Sequence, residues 1–207
     1  AWLQERGKLD EPIVWAVLHE LGSALEACHA LGVIHRDLKP ENVIVNPSGR
    51  LILVDFGVAR SYDAADGVVG SGVGTQVMGT PDYMSPEQAT SSELGGASDV
   101  FSLGSLLVFA ATARPPFGQG ATVAVLMNIQ RGEPDLGGID PARKALLTRL
   151  LAKDPAKRPT AREVLDIARA VESGADNPVD LRVPPAHTTQ PIRTAPVAPA
   201  QTAVGGW

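Results

Sequence analysis

The chain has 207 residues, enough for one ordinary domain, and 44% of them are hydrophobic, so a packed core is expected. Its formal net charge of −5 excludes the basic surface that binds nucleic acid through phosphates. Cys28 is the only cysteine, which excludes an internal disulfide and favours a reducing compartment. These features predict a folded cytoplasmic protein with no nucleic-acid partner.

The first long element in chain order is an amphipathic helix that begins after Asp10 and ends before Gly32. Aspartate is a favourable N-cap residue, and glycine is common just beyond a helix C-terminus. Apolar residues recur in this segment with the helical period, which predicts one buried face. That face comprises Val14, Val17, Leu18, Leu21, Leu25, Cys28 and Leu31.

Two β-rich segments follow this helix and are separated by a turn. They are NVIV, residues 42–45, and RLILVDF, residues 50–56. The sequence Asn-Pro-Ser-Gly at 46–49 is typical of turns, so the three segments together predict a β-hairpin. Because a hairpin brings its two ends together, we expect Asn42 and Asp55 to be neighbours.

Most of the remaining sequence up to residue 172 is predicted to be helical. The segment SDVFSLGSLLVFAAT, residues 98–112, is apolar almost all round, which predicts a helix buried at the domain centre. The apolar run from 100 to 113 is shorter than the ~20 residues that span a bilayer, so no membrane segment is expected in this chain. Two further helices are predicted to begin at Asp140 and, through a Thr-x-x-Glu capping box, at Thr160.

Composition changes near Ser173. Residues 174–207 contain six prolines scattered among Ala, Thr and Val, with few charged residues. Such a stretch buries too little apolar area to offset the entropy lost on ordering. We therefore predict a folded domain over 1–173 and a disordered linker or tail over 174–207.

Four polar residues around the hairpin are suited to phosphate chemistry. The oxygens of Asn42 and Asp55 suit Mg²⁺, which prefers one or two protein ligands plus phosphate oxygens and water. Lys39 offers a positive charge for a phosphate, and Asp37 offers a proton acceptor. Each residue alone fits an ordinary turn, but a turn needs neither the lysine nor a second carboxylate delivered by a hairpin.

Five sequence segments resemble motifs of the protein kinases. HRDLKPEN resembles the catalytic loop, DFG the metal-binding motif and GTPDYMSPE the end of the activation segment; SDVFSLG resembles the central helix and KDPAKRPT the closing arginine motif. Ser85 stands where the family usually has alanine. The order and spacing of the motifs hold across residues 1–172.

The resemblance implies a mainly α fold, α+β overall. It is the C-terminal lobe of the bilobal kinase fold, a helical body with a small β-hairpin at the catalytic loop. The Gly-rich loop, strand lysine and partner glutamate of kinases have no counterpart before His35. We therefore expect residues 1–173 to be this lobe alone, a fragment with negligible turnover by itself.

The resemblance also assigns roles to the polar residues near the hairpin. Asp37 would orient the substrate hydroxyl and accept its proton, and Lys39 would neutralise the transferring γ-phosphoryl group. Asn42 and Asp55 would hold Mg²⁺, or alternatively Mn²⁺, on ATP. Glu41 is counted with the nucleotide-binding residues of the loop.

Two further positions bear on what the site would bind. Ile44 either forms an apolar floor under adenine or is an ordinary core residue. Lys39, two places after Asp37, resembles serine/threonine kinases, and the Thr80 hydroxyl would bond both of them at the acceptor site. The implied reaction is phosphorylation of serine or threonine in protein substrates.

Arg36 suggests regulation, since in the family this arginine pairs with a phosphate on the activation segment. That segment corresponds to residues 61–79, where Thr75 is the first candidate phosphosite and Ser71 the second. A flexible loop with incidental hydroxyls is the alternative. Phosphorylation of one copy by another would make the protein a transient homodimer.

Three more residues are expected to be structural. Asp99 would accept backbone donors from the catalytic loop, and Glu87 would form a buried ion pair with Arg158. His35 is expected to pack in the core and not to act as a base.

Two other functions stay open. A pseudokinase or docking module would have the same shape without turnover, although such proteins usually lose one of Asp37, Asn42 and Asp55. A small-molecule kinase uses a similar triad but lacks the Ser-Pro-Glu peptide platform. The composition resembles bacterial serine/threonine kinases of signalling, many of which continue to a membrane tether, here outside this chain.

Overall fold

The computed structural model describes residues 2–56, 81–90 and 94–172. Its α-helices are α1 (Trp2–Arg6), α2 (Glu11–Ala30), α3 (Pro86–Ala89), α4 (Gly96–Thr112), α5 (Thr122–Arg131), α6 (Pro141–Leu150) and α7 (Ala161–Glu172). Two strands, β1 (Val43–Val45) and β2 (Leu51–Leu53), form an antiparallel hairpin, and short 3-10 turns cover Pro40–Asn42, Pro81–Tyr83 and Pro155–Lys157. The prediction of a helical body with one hairpin is confirmed. The predicted tail, 174–207, lies outside the described residues.

Helix α2 buries the predicted face against α4 and α7. Its buried residues include Val14, Val17, Leu18, Leu21 and Leu25. The prediction is wrong for Leu31, whose side chain is 82% exposed, because the helix ends at Ala30 and the chain turns away there. Gly32 follows with φ of 72°, the left-handed conformation that glycine adopts readily. Asp10 is the N-cap residue by position, yet its carboxylate makes no capping hydrogen bond.

Helix α4 runs through the centre of the body, as predicted, and is buried along almost its whole length. It approaches α6 closely at Gly104, where an added Cβ would lie 2.9 Å from the Leu150 Cβ. The Phe101 ring stacks on that of Phe117 with centroids 5.6 Å apart. Of the helices described, none is both long and apolar enough to cross a membrane.

The hairpin has one buried and one exposed face. Val43 pairs with Leu53 and both are buried, whereas Ile44 pairs with Ile52 and these side chains are 42% and 41% exposed. Ile44 is therefore not a core residue, which excludes one of the two interpretations of that position. The alternation follows from the two-residue period of a strand.

The turn and the open end of the hairpin also have specific contacts. In the turn, Asn46 Oδ1 accepts hydrogen bonds from the backbone N–H groups of Ser48 and Arg50. At the open end, the Val54 N–H donates to the Asn42 carbonyl at 3.0 Å. Asp55, the next residue, therefore leaves the hairpin at the end where Asn42 enters it.

Candidate active site

The segment from His35 to Asp37 is fastened to the central helix by a buried carboxylate. Asp99, 1% exposed in the first turn of α4, accepts hydrogen bonds from the backbone N–H groups of His35 and Arg36, both at 2.8 Å. His29 Nε2 on α2 donates to the same carboxylate at 2.8 Å. Arg36 has φ of 68°, a conformation rare outside glycine. The hydrogen bonds to Asp99 therefore help to hold Arg36 in a backbone conformation that is unfavourable for arginine.

His35 is fully buried and links the loop to the hairpin. Its Nε2 lies 3.2 Å from the Val54 carbonyl, which can only accept, so Nε2 carries the proton. Nδ1 then accepts the Asp37 N–H at 3.3 Å, and the ring lies 4.5 Å from that of Phe56. Burial lowers the pKa of His35, and the charge of Asp99 opposes this shift only in part. The neutral imidazole, with its proton on Nε2, therefore fits both hydrogen bonds of His35.

The lowered pKa of His35 predicts how the stability of the fold depends on pH. In the unfolded chain His35 binds a proton near its ordinary value of 6.5, whereas in the fold its lowered pKa delays protonation. The unfolded state then binds more protons, so we expect the free energy of unfolding to fall as pH drops below about 6.5. Urea titrations from about pH 8 to pH 5 should compare the wild type with His35→Phe, which lacks the titrating ring. The free energy of unfolding of the wild type, minus that of His35→Phe, should decrease as the pH falls. A difference that stays constant with pH would contradict the expectation.

Asp37 is held by two neighbouring side chains. Lys39 Nζ donates to Asp37 Oδ2 at 2.7 Å, and Asn42 Nδ2 donates to the Asp37 carbonyl at 2.8 Å and to Oδ2 at 3.0 Å. Both partners of the Asn42 amide nitrogen are pure acceptors, which fixes the amide orientation. The structure therefore brings Asp37, Lys39 and Asn42 together.

Asp55 is exposed beyond β2 and has φ of 55°. Among the residues described, no group of three or more His, Cys, Asp or Glu side chains could hold a metal ion. A cation at this end of the hairpin would take the Asn42 amide oxygen and the Asp55 carboxylate, with phosphate oxygens and water completing its shell. That donor set fits Mg²⁺, which seldom uses an all-protein cage.

Glu87 and Arg158 form a buried ion pair. Arg158 Nη1 lies 2.6 Å from Glu87 Oε1 and Nη2 lies 2.9 Å from Oε2, a bidentate geometry. Ser98 Oγ also donates to Glu87 at 2.7 Å. Burial disfavours the charged form of Glu87, but the hydrogen bonds from Arg158 and Ser98 outweigh it and lower its pKa. This pair joins α3 to the segment before α7.

The other predicted site residues are placed as follows. Glu41 is exposed and accepts a hydrogen bond from Gln4 Nε2 of α1. Thr80, Thr75 and Ser71 lie outside the described residues, as does the glycine of the DFG motif. The sequence motifs did not indicate His29, which bonds the Asp99 carboxylate, or Gln88, which contacts the catalytic loop.

Comparison with known proteins decides the family. A family model described as the protein kinase domain matches residues 1–168. The chain belongs to the protein kinase family. Its helical body is a kinase lobe with a small hairpin, as the motifs predicted, and members of the family generally use ATP and Mg²⁺.

Similar proteins include bacterial kinases. The chain is 36% identical over 199 residues to the serine/threonine-protein kinase PknA of Mycobacterium tuberculosis, covering 95% of this chain and 44% of that protein. It is 38% identical over 177 residues to the probable serine/threonine-protein kinase PkwA of Thermomonospora curvata (84% and 23%). It is 42% identical over 141 residues to the serine/threonine-protein kinase AfsK of Streptomyces coelicolor (67% and 17%). The chain thus spans less than half the length of these relatives.

Proposed function

We propose that the protein to which this chain belongs transfers the γ-phosphate of ATP to serine or threonine hydroxyls of protein substrates. The observation that carries the proposal is the convergence of Lys39 and Asn42 on Asp37, at the end of the hairpin where Asp55 emerges. The names of the relatives, all serine/threonine-protein kinases, support the choice of acceptor.

The residues at this end of the hairpin have different roles in the proposed phosphoryl transfer. Asp37 orients the acceptor hydroxyl and takes its proton, and its position is held by Asn42. Lys39, already at 2.7 Å from Asp37, supplies positive charge to the transferring phosphoryl group. Asn42 and Asp55 would hold Mg²⁺, or Mn²⁺ in its place, which when bound neutralises phosphate charge.

The exposed face of the hairpin suits the nucleotide base. Ile44 and Ile52 form an apolar cross-strand pair open to solvent at the same hairpin whose end carries Asp55. An exposed apolar surface of this kind favours contact with an apolar ring over contact with water. We therefore assign Ile44 to the floor under adenine, and Glu41 to the edge of the nucleotide site.

The proposal extends to acceptor choice and regulation. Thr80 would shape the acceptor site beside Asp37, and Arg36 would pair with a phosphate on Thr75 or, second, Ser71. Phosphorylation of that segment by a second copy would involve a transient homodimer. Since the reaction consumes ATP, we place it in the cytoplasm.

Two alternatives are separated by one assay. A pseudokinase is disfavoured because Asp37, Asn42 and Asp55 are all present, and a small-molecule kinase because of the Ser-Pro-Glu segment that begins at Ser85. The complete protein should be incubated with γ-labelled ATP and Mg²⁺, together with protein mixtures, choline and aminoglycosides. Label in phosphoserine or phosphothreonine supports the proposal. Label in the small molecules, or none at all, overturns it.

A further inference from the structure

Gln88, in helix α3, makes two hydrogen bonds in different directions. Its Oε1 accepts the Ser85 N–H at 2.9 Å, and its Nε2 donates to the backbone carbonyl of Arg36 at 2.6 Å. One partner can only donate and the other can only accept, so the orientation of the amide is fixed. Ser85 Oγ in turn accepts the Gln88 N–H at 3.3 Å, which completes a capping box.

The second bond reaches the residue immediately before the proposed catalytic base. The N–H of Arg36 is held by Asp99 and its carbonyl by Gln88, so both of its backbone polar groups are bound by side chains from other elements. Arg36 has positive φ, a conformation that needs such support. The carbonyl held by Gln88 belongs to the peptide group that supplies the N–H of Asp37.

We propose that Gln88 is a positioning residue for phosphoryl transfer, which holds the Arg36–Asp37 peptide and thereby aligns the Asp37 carboxylate. This inference rests on the proposed function. Ser85, which stands where the family usually has alanine, caps the helix that carries Gln88, but the bond to Arg36 is made by Gln88 and not by Ser85. Gln88 thereby links α3 to the catalytic loop.

Helix capping alone would explain the Ser85 contacts but not the bond to Arg36. The two roles can be separated because glutamate caps in the same box as glutamine but, when ionised, cannot donate. Gln88→Glu should keep the cap and lose the bond to Arg36. Gln88→Met should lose the bond to Arg36 and the half of the cap that accepts the Ser85 N–H, while the backbone N–H of residue 88 can still donate to Ser85 Oγ. Ser85→Ala should lose that other half of the cap and keep the bond to Arg36.

The experiment measures kcat, KM for ATP and melting temperature for these three variants in the complete protein. We expect Gln88→Glu and Gln88→Met to lower kcat at least ~10-fold with KM for ATP little changed, since small misplacements of a catalytic group are costly. Ser85→Ala should keep kcat within about two-fold of the wild type. The melting temperature should fall for Gln88→Met and Ser85→Ala, and should be preserved for Gln88→Glu. If kcat instead follows melting temperature across the set, the inference is overturned.

The pH profile gives an independent signature. A protonated carboxyl at position 88 can donate to the Arg36 carbonyl again, so the ratio of Gln88→Glu to wild-type kcat should rise as pH falls from about 6 towards the ordinary glutamate range near 4.3. A flat ratio, with kcat at the wild-type level, contradicts a positioning role. Taking the ratio removes effects common to both proteins, including titration of His35.

A readout without activity separates this inference from the proposed function. Hydrogen–deuterium exchange of the peptide covering residues 35–39 should be faster in Gln88→Glu than in Ser85→Ala, because the former releases the Arg36 carbonyl. Equal exchange overturns the inference even in an active enzyme. Absence of phosphotransfer from the wild type, with faster exchange in Gln88→Glu, would overturn the proposed function and leave the structural link standing.

Discussion

Replacing Asp37 with asparagine is expected to lower kcat by about 10²–10⁴-fold, the usual contribution of general acid–base catalysis. The amide has nearly the same shape and can still accept a hydrogen bond from Lys39, but it cannot take the proton of the acceptor hydroxyl. ATP affinity and melting temperature should stay close to wild type. Steady-state kinetics with a protein substrate, together with calorimetric ATP binding, would measure both quantities.

The matched control is Asp135→Asn. Asp135 is also a carboxylate paired with a cation, Arg114 at 3.6 Å, but its side chain is 60% exposed. This variant should leave kcat within experimental scatter. If Asp37→Asn retains kcat within about three-fold of the wild type, Asp37 is not the proton acceptor.

The second large effect is expected on stability. Arg158→Met should lower the free energy of unfolding by about 3–5 kcal/mol, the range for removing one partner of a buried ion pair. Arg158 has no exposed side-chain surface, and its loss would leave the Glu87 carboxylate buried without its cation. It would also remove hydrogen bonds to the carbonyls of Ala97, Ala152 and Lys153. Urea denaturation followed by circular dichroism would give the difference.

Arg162→Met is the control for this second prediction. Arg162 makes ion pairs at 3.5 Å with Glu26 and Asp166, yet its side chain is 63% exposed. Solvent screening limits such pairs to about 0–1 kcal/mol. An equal loss in the free energy of unfolding for the two variants would show that the buried Glu87–Arg158 pair stabilises the fold no more than an exposed pair does.

Some features could be predicted because they depend on residues close in sequence. The Thr160–Glu163 capping box is present, with Glu163 Oε2 accepting the Thr160 N–H at 2.7 Å and the Glu163 N–H donating to Thr160 Oγ1 at 3.2 Å. Gln88 carried the same kind of local signal, a Ser-x-x-Gln spacing from Ser85, and could have been found by it. The prediction that Leu31 is buried was wrong because a periodic pattern does not mark the residue at which a helix ends.

The resemblance to protein kinases, the type of the principal elements and the four polar residues near the hairpin could all be predicted from the amino-acid sequence. Helical period, strand alternation and motif spacing are local properties, and they survive whatever surrounds them. The motif resemblance also implied that Asp99, 63 residues from Arg36, would bind the catalytic loop. The contact that Gln88 makes with the same loop from 52 residues away was visible only in the folded chain, because no local pattern specifies it. These hydrogen bonds exist because packing of the helices around α4 brings distant backbone groups to the buried Asp99 and the half-buried Gln88, whose polar atoms must be satisfied.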